Sequence, residues 1–346
     1  MQEKTLQGLS KRTGTGWIVC CGLILLVLLL VWSAPAVAQP RGILRLFSGD
    51  MGRETPSLVY SGKGSAYSNV QKQPGKDLQL FENKVHLSIP IHQGPDFEWL
   101  LTGRMTAQAI RTEALLPSTA EAFPSHLWDL GFGTAYRKRF DNGWIGGATL
   151  DVGSASDKPF FSMDETTVSA NLFTRIPHVG ENAWLLLLNY NNREFLPHVP
   201  IPGVGYLFQK NRRYRIAAGV PFVFGEVRPW SGDLSITFSY APIRSVHAAV
   251  NYDLLRDLTV YGGFDWENDE FFRAQRRDKD WRLYYYEKRL AAGVRYQFDR
   301  RCFVDLSAGY AFDRMYFEGE KYSDNDFNRL DLDDGPFARI RIGLHY

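Results

Sequence analysis

Beyond residue 32 this 346-residue sequence has no long hydrophobic run, almost no cysteine and no surplus of either charge. The first lack excludes ordinary transmembrane helices after the N-terminus, because a helix needs about 20 apolar residues to cross a bilayer. Only Cys20, Cys21 and Cys302 are present. The first two lie in the one apolar stretch, so the rest of the chain holds a single thiol and no internal disulfide. With 40 Lys and Arg against 38 Asp and Glu, the chain offers no basic surface for nucleic acid. Its 7 histidines are scattered. His86 and His92 are about 20 Å apart along a strand, too far to share an ion. No metal, cofactor or catalytic set is therefore expected, and the chain is read as not an enzyme.

The apolar stretch runs from Trp17 to Trp32. It follows Lys4, Lys11 and Arg12 and precedes Ser33-Ala34-Pro35-Ala36-Val37-Ala38. A basic start, an apolar centre and small residues at Ala36 and Ala38 form a secretory signal peptide, cut after Ala38. Residues 1–38 are thus expected to engage the secretion translocon and be removed. Residues 39–79, rich in Gly, Ser and Pro and without convincing alternation, are read as a periplasmic tail or an inserted plug.

From about residue 80 to 346 the pattern has period two. Val85, Leu87, Ile89 and Ile91 alternate with Lys84, His86 and Ser88; Phe97, Trp99, Leu101 and Met105 alternate with Glu98, Thr102 and Arg104. The same alternation recurs around Trp128–Arg139, Trp144–Val152, Val168–Ile176, Trp184–Tyr190, Leu234–Tyr240, Val246–Tyr252, Leu258–Trp266, Leu290–Phe298, Cys302–Phe312 and Ala338–Tyr346. Repeated segments of about ten residues with one apolar and one polar face are the pattern of strands that put one face to lipid and one to a polar lumen. The fold class is therefore all-β, an antiparallel transmembrane β-barrel in a bacterial outer membrane, embedded in its lipid.

Short connections at 141–143, where Asn142-Gly143 suits a tight hairpin, and at 177–182, 254–257 and 299–301 contrast with long polar ones at 111–125, 154–164, 268–283 and 318–335. Outer-membrane barrels show this asymmetry, with short turns on the periplasmic side. All four short turns fall on that side only if the proline-rich stretch 192–230 adds an odd number of strands. With Tyr214–Phe224 as its one strand the expected total is twelve; three strands there give the alternative of fourteen. Aromatics near turns, among them Trp144, Trp184, Tyr252, Tyr296 and Phe298, are expected to form interfacial girdles.

The last strand, Ala338-Arg339-Ile340-Arg341-Ile342-Gly343-Leu344-His345-Tyr346, resembles the C-terminal assembly signal of outer-membrane proteins, with Ile340, Ile342, Leu344 and Tyr346 as its apolar face. The resemblance implies recognition by the barrel assembly machinery. More broadly, Pro202-Gly203-Val204-Gly205-Tyr206, Gly219-Val220-Pro221-Phe222 and Leu290-Ala291-Ala292-Gly293-Val294-Arg295-Tyr296 resemble an uncharacterised family of Gram-negative outer-membrane β-barrels, which implies fold and location and no activity.

Charged residues on the non-lipid faces are the candidate functional set: Arg104, Asp129, Arg137, Arg139, Asp151, Arg175, Asp265, Arg289, Arg295, Asp305, Arg339 and Arg341. Each must meet water or a partner, since an unpaired charge at membrane depth costs several kcal/mol. They line a pore or pair into a closed core. The arginine excess favours anions if the lumen conducts. Three readings follow: a small porin-like channel for ions or small solutes; a closed structural or adhesive barrel whose external loops bind partners; and a membrane lipid hydrolase using Ser245 and His247. The last is the weakest, because that pair faces the lumen and not the lipid. Oligomeric state is open.

Overall fold

The computed structural model describes residue 47, residues 51–52 and residues 55–345 apart from 194–195, 211–212, 231 and 300. The leader with Ala36 and Ala38, and the terminal Tyr346, lie outside the described residues.

Among the described residues eighteen strands form one antiparallel sheet. In chain order they are β1 (Ser57–Ser65), β2 (Ser68–Asn69), β3 (Asp77–Gln93), β4 (Phe97–Thr112), β5 (His126–Arg139), β6 (Ile145–Ser156), β7 (Thr166–Pro177), β8 (Ala183–Asn191) and β9 (Ile201–Lys210). There follow β10 (Tyr214–Val220), β11 (Val223–Val227), β12 (Leu234–Ala241), β13 (Ser245–Leu255), β14 (Leu258–Phe271), β15 (Arg282–Gln297), β16 (Cys302–Gly319), β17 (Phe327–Leu332) and β18 (Gly335–His345). Short β2 and β17 flank β3 and β16 at the long-loop end. The other sixteen make the wall. It closes where β1 pairs with β18, from Ser57 opposite His345 to Ser65 opposite Phe337, and with β3 on its other edge. Closure satisfies every strand edge, the condition for backbone to lie in hydrocarbon.

The expected twelve strands, or fourteen, fall short of sixteen. Strands β3–β8, β12–β16 and β18, which carry the plain alternation, already number twelve, so the expected totals of twelve and fourteen counted the wall one short even before β1 is added. The stretch 192–230 supplies three, the odd number that the turn sides demanded. What reads as one strand from Tyr214 to Phe224 is two, broken by a tight turn in which the Gly219 N–H donates to the Phe222 carbonyl at 2.9 Å. The remaining strand, β1, lies in the stretch read as tail or plug. Its outward positions after Leu58 and Tyr60 are Gly62 and Gly64, which carry no apolar side chain and so hide the alternation. The wall begins at Ser57, not near residue 80.

Wall height is uneven. β3, β4, β15 and β16 have 17, 16, 16 and 18 residues, whereas β10 and β11 have 7 and 5. At about 3.4 Å per residue β11 rises only about 17 Å along its own axis. Outward positions are apolar and exposed around the barrel, as with Leu87, Ile89, Leu150, Leu172, Leu186, Val204, Val250, Val294, Leu306 and Ile340. At the short-turn end Trp99, Tyr136, Trp144, Trp184, Tyr252, Tyr296 and Phe298 are all exposed, forming the expected girdle. No helix among the described residues is long and apolar enough to cross a membrane.

Two apolar clusters lie on inward faces. At the long-loop end Leu78, Leu80, Ile110, Leu116, Leu127, Phe271, Leu283, Tyr285, Tyr316 and Leu330 pack together, so the connection 113–125 and β17 fold over the tall wall. On the low side Phe173, Leu185, Leu207, Ala217, Phe222 and Phe224 pack with Phe47.

Candidate functional site

Alternation along each strand sends every second side chain inward, and closing the sheet brings inward positions of distant strands together. Nine of the twelve candidate charges meet there in three groups.

The largest joins β1, β3, β14, β15 and β16. Lys63 Nζ lies 2.7 Å from Glu287, which also pairs with Arg289 at 2.9 Å and Arg314 at 3.1 Å. Tyr285 donates its hydroxyl to the same carboxylate at 2.5 Å. Arg289 continues to Glu267 at 2.8 Å, and Lys84 Nζ stands 3.0 Å from Glu267, 3.4 Å from Glu82 and 3.6 Å from Asp269. One end of this chain of charges is dry, with the Glu287 and Arg314 side chains 2% and 0% exposed; the other is wet, with Glu267 and Asp269 at 33% and 32%. The Glu82, Glu267 and Asp269 carboxylates bring ligand atoms within 4.8 Å of one another. The Lys84 ammonium already supplies the positive charge between them.

The second group is built on β4, β5 and β6. Arg104 donates to Asp129 at 3.3 Å and to Asp151, and Arg193 from the connection after β8 reaches Asp129 at 2.9 Å. The third lies toward the short-turn end. Asp305 accepts from Arg295 at 2.8 Å and from the Tyr261 hydroxyl at 2.7 Å, and Arg341 is its cross-strand neighbour. Arg339 donates to Ser307 at 3.2 Å and lies 3.8 Å from Asp265. Elsewhere Arg137 pairs with Glu98, both buried. Arg175 donates to the Glu181 carbonyl at 3.3 Å, and Arg139 ends β5 in an exposed position. All twelve candidate residues thus sit on wall strands, but they do not form one constellation.

Glu82, Lys84, Glu98, Arg193, Glu267, Asp269, Glu287 and Arg314 are members that the sequence reading left out of the set. Extending the period-two register beyond each alternating core reaches most of them: Lys84 and His86 point the same way, so Glu82 does too. With Lys63, also outside that set, they add five acids and four bases, so the excess of positive charge on the inward faces falls only from four to three. The acidic run after Asp324 is engaged locally: Asp333 accepts from Asn69 at 3.0 Å, Asp331 from Arg329 at 2.8 Å, and Asp334 from the Asp313 N–H at 3.1 Å.

His247 is oriented by Asp265, whose Oδ1 is 2.6 Å from Nδ1, and its side chain is 46% exposed on the inward face. Ser245 shares that face two residues away. On the assembly strand Ile340 is exposed and Ile342 and Leu344 half-buried, all on outward parity.

No family model matches this chain, and no curated protein matches it in sequence. Solved structures similar to it include an outer-membrane channel from Pseudomonas putida F1, at 11% identity over 91% of this chain and 100% of that one, with a TM-score of 0.37. A deletion mutant of the monoaromatic hydrocarbon channel TodX matches at 10% identity over 90% of this chain and 96% of that one, TM-score 0.44. The β-domain of the Bordetella autotransporter BrkA matches at 8% identity over 85% and 100%, TM-score 0.33. At such identities and TM-scores none of them transfers a function to this chain.

Proposed function

We propose that this chain is an outer-membrane channel whose charged, water-reached lumen passes ions or small hydrophilic solutes. The outer-membrane placement is supported by the closed sheet, the outward apolar band and the aromatic girdle at the short-turn end. The observation that carries the channel reading is that inward charges keep contact with solvent. His247 is 46% exposed, Arg295 33%, Arg104 28% and Lys84 21%. A salt-bridged core that merely held the barrel would bury all of them. Sixteen strands also give a barrel wide enough for an aqueous path. Reconstitution into planar bilayers tests it: discrete conductance steps are expected, and folded protein that conducts no more than bare lipid would sink the proposal.

A second reading, a closed structural or adhesive barrel, is favoured by one specific feature. The long loops fold onto a dry apolar cluster over the tall wall, which presents a built outer surface for partners. Deleting the connection 272–281 without effect on surface binding or envelope integrity would count against it. A lipid hydrolase is the weakest reading, because Ser245 and His247 face the lumen; Ser245→Ala and His247→Ala leaving any measured activity unchanged would retire it. Recognition by the translocon and the assembly machinery is proposed on the leader and the last strand, and no cofactor is invoked.

A further inference from the structure

The outer face of the tall wall is not evenly filled. Gly64 of β1, Ala338 of β18, Ala308 of β16 and Ala292 of β15 stand opposite one another on successive strands, all at outward positions. The next outward row toward the short turns is bulky, with Ile340, Leu306, Val294 and Val260 side by side. Between the two rows the side chains turn into the lumen, so backbone alone forms the floor. The result is a furrow of about 900 Å³ on the lipid side, bounded at its β3 end by Phe81 and Asn83.

The furrow is inclined. Phe81 precedes Gln93, at the short-turn end of β3, by twelve positions, whereas Ala292 precedes Gln297, at that end of β15, by five. Its β3 end is therefore the higher, on the side of the long external connections. With neighbouring strands about 4.8 Å apart, the five spacings from β3 through β1, β18, β16 and β15 to β14 make it about 24 Å long. Strands tilted by about 40° incline it by about 50° to the membrane normal, so it descends about 15 Å, half of a hydrocarbon core about 30 Å thick. That is the depth of one leaflet.

Polar groups stand at the upper end. Arg111, exposed at an outward position of β4 beside the long connection, holds its guanidinium 5.5 Å from the centre of the Phe81 ring, and among the described residues it has no carboxylate partner. One outward position lower on β3, Asn83 accepts from the Tyr60 hydroxyl at 2.8 Å, and its amide donors meet no acceptor among the described residues. A guanidinium at headgroup level favours an anion, and amide donors turned toward hydrocarbon are costly until an acceptor meets them. We infer that the furrow binds one molecule of lipid A, the phosphorylated, many-chained glycolipid of the external leaflet. A phosphate sits on Arg111, the carbonyl of an acyl linkage on Asn83, and one acyl chain along the row of Gly and Ala. Cation, amide and apolar furrow follow one another in the order in which phosphate, linkage and chain follow in the lipid. The site rests on the outer-membrane placement and not on conduction.

The test is native mass spectrometry of the folded full chain in detergent, stripped of lipid and titrated with bisphosphorylated lipid A, with phosphatidylglycerol and phosphatidylethanolamine in parallel. A single lipid A adduct is expected at concentrations where neither glycerophospholipid binds. Arg111→Gln should weaken it about tenfold, the loss of one charge-assisted contact, and Arg111→Lys should keep most of it. Asn83→Leu should weaken it by a smaller factor. Ala308→Leu with Ala338→Leu fills the furrow with side chains suited to lipid and should abolish the adduct, while heat-modifiable gel mobility shows the barrel intact. Binding that Arg111→Gln or the leucine pair leaves unchanged, phosphatidylglycerol held as tightly as lipid A, or no adduct on the folded barrel overturns the inference. Conductance in planar bilayers should be the same for all variants. A barrel that conducts but holds no lipid A ends this inference and leaves the channel reading standing; one that binds lipid A without conducting does the reverse.

Discussion

The two sides of this barrel are held by different forces. The tall wall, from β14 through β18 and β1 to β4, joins strands by buried ion pairs centred on Glu287 and Glu98. The low wall, from β7 to β11, has an inward face of Phe, Leu and Ala with a ring from the N-terminal segment laid over it. Charges fix position strongly, because a buried charge without its partner is costly, whereas an apolar contact is tolerant of which group makes it. The tall wall is therefore held by pairings that each need a specific partner, and the low wall by packing that tolerates a change of side chain.

The strongest way to break this comparison is Glu287→Gln, which leaves Lys63, Arg289 and Arg314 facing a neutral amide. A loss of about 3–5 kcal/mol is expected in urea unfolding followed by heat-modifiable gel mobility. On the low wall Leu185→Ala removes packing and strands no charge. It should cost about 2–3 kcal/mol, a typical large-to-small loss, with little dependence on salt. If instead Glu287→Gln proves the milder of the two, the tall wall is not held by its charges.

Gly343→Ala tests the packing beside the closing seam, inside the tall wall. The Phe303 ring fills the place a Cβ at 343 would take, so overpacking of about 1–3 kcal/mol and slower assembly are expected, read as the folded fraction after refolding. The smallest effect concerns the loops above the tall wall. Glu121 in the connection 113–125 accepts from Arg273 at 2.7 Å, and this hydrogen bond, with some help from the guanidinium charge, holds its carboxyl below the ordinary carboxylate range. A depressed folded-state pKa stabilises the docked loop above the unfolded value and loses that contribution as pH falls through the folded one. Hydrogen exchange in 113–125 should therefore rise on acidification below about pH 4.5, and Glu121→Gln should flatten the change.

Much of the wall was legible because its physics is local. Where an outward residue such as Leu87 or Leu186 alternates with an inward polar one, the period alone places both. Legibility ended where the outward side chain is missing, at Gly62 and Gly64 in β1, and where a hairpin is too short to show a period, at Val220–Val227. The candidate charges share the parity opposite the apolar face, yet their partners could not be read. Asp129 meets Arg193 across 64 positions, and Arg104 meets Asp151 across 47.

By itself, then, the sequence determined the strand faces and the alternation of short and long connections, because each depends on neighbours close in the chain. Sixteen strands, the pairing of the charges and the seat of Phe47 were decided only by the tertiary structure. Each depends on which strand edge closes against which, and that is settled by satisfying the last free edge of the sheet and the last unpaired charge inside it.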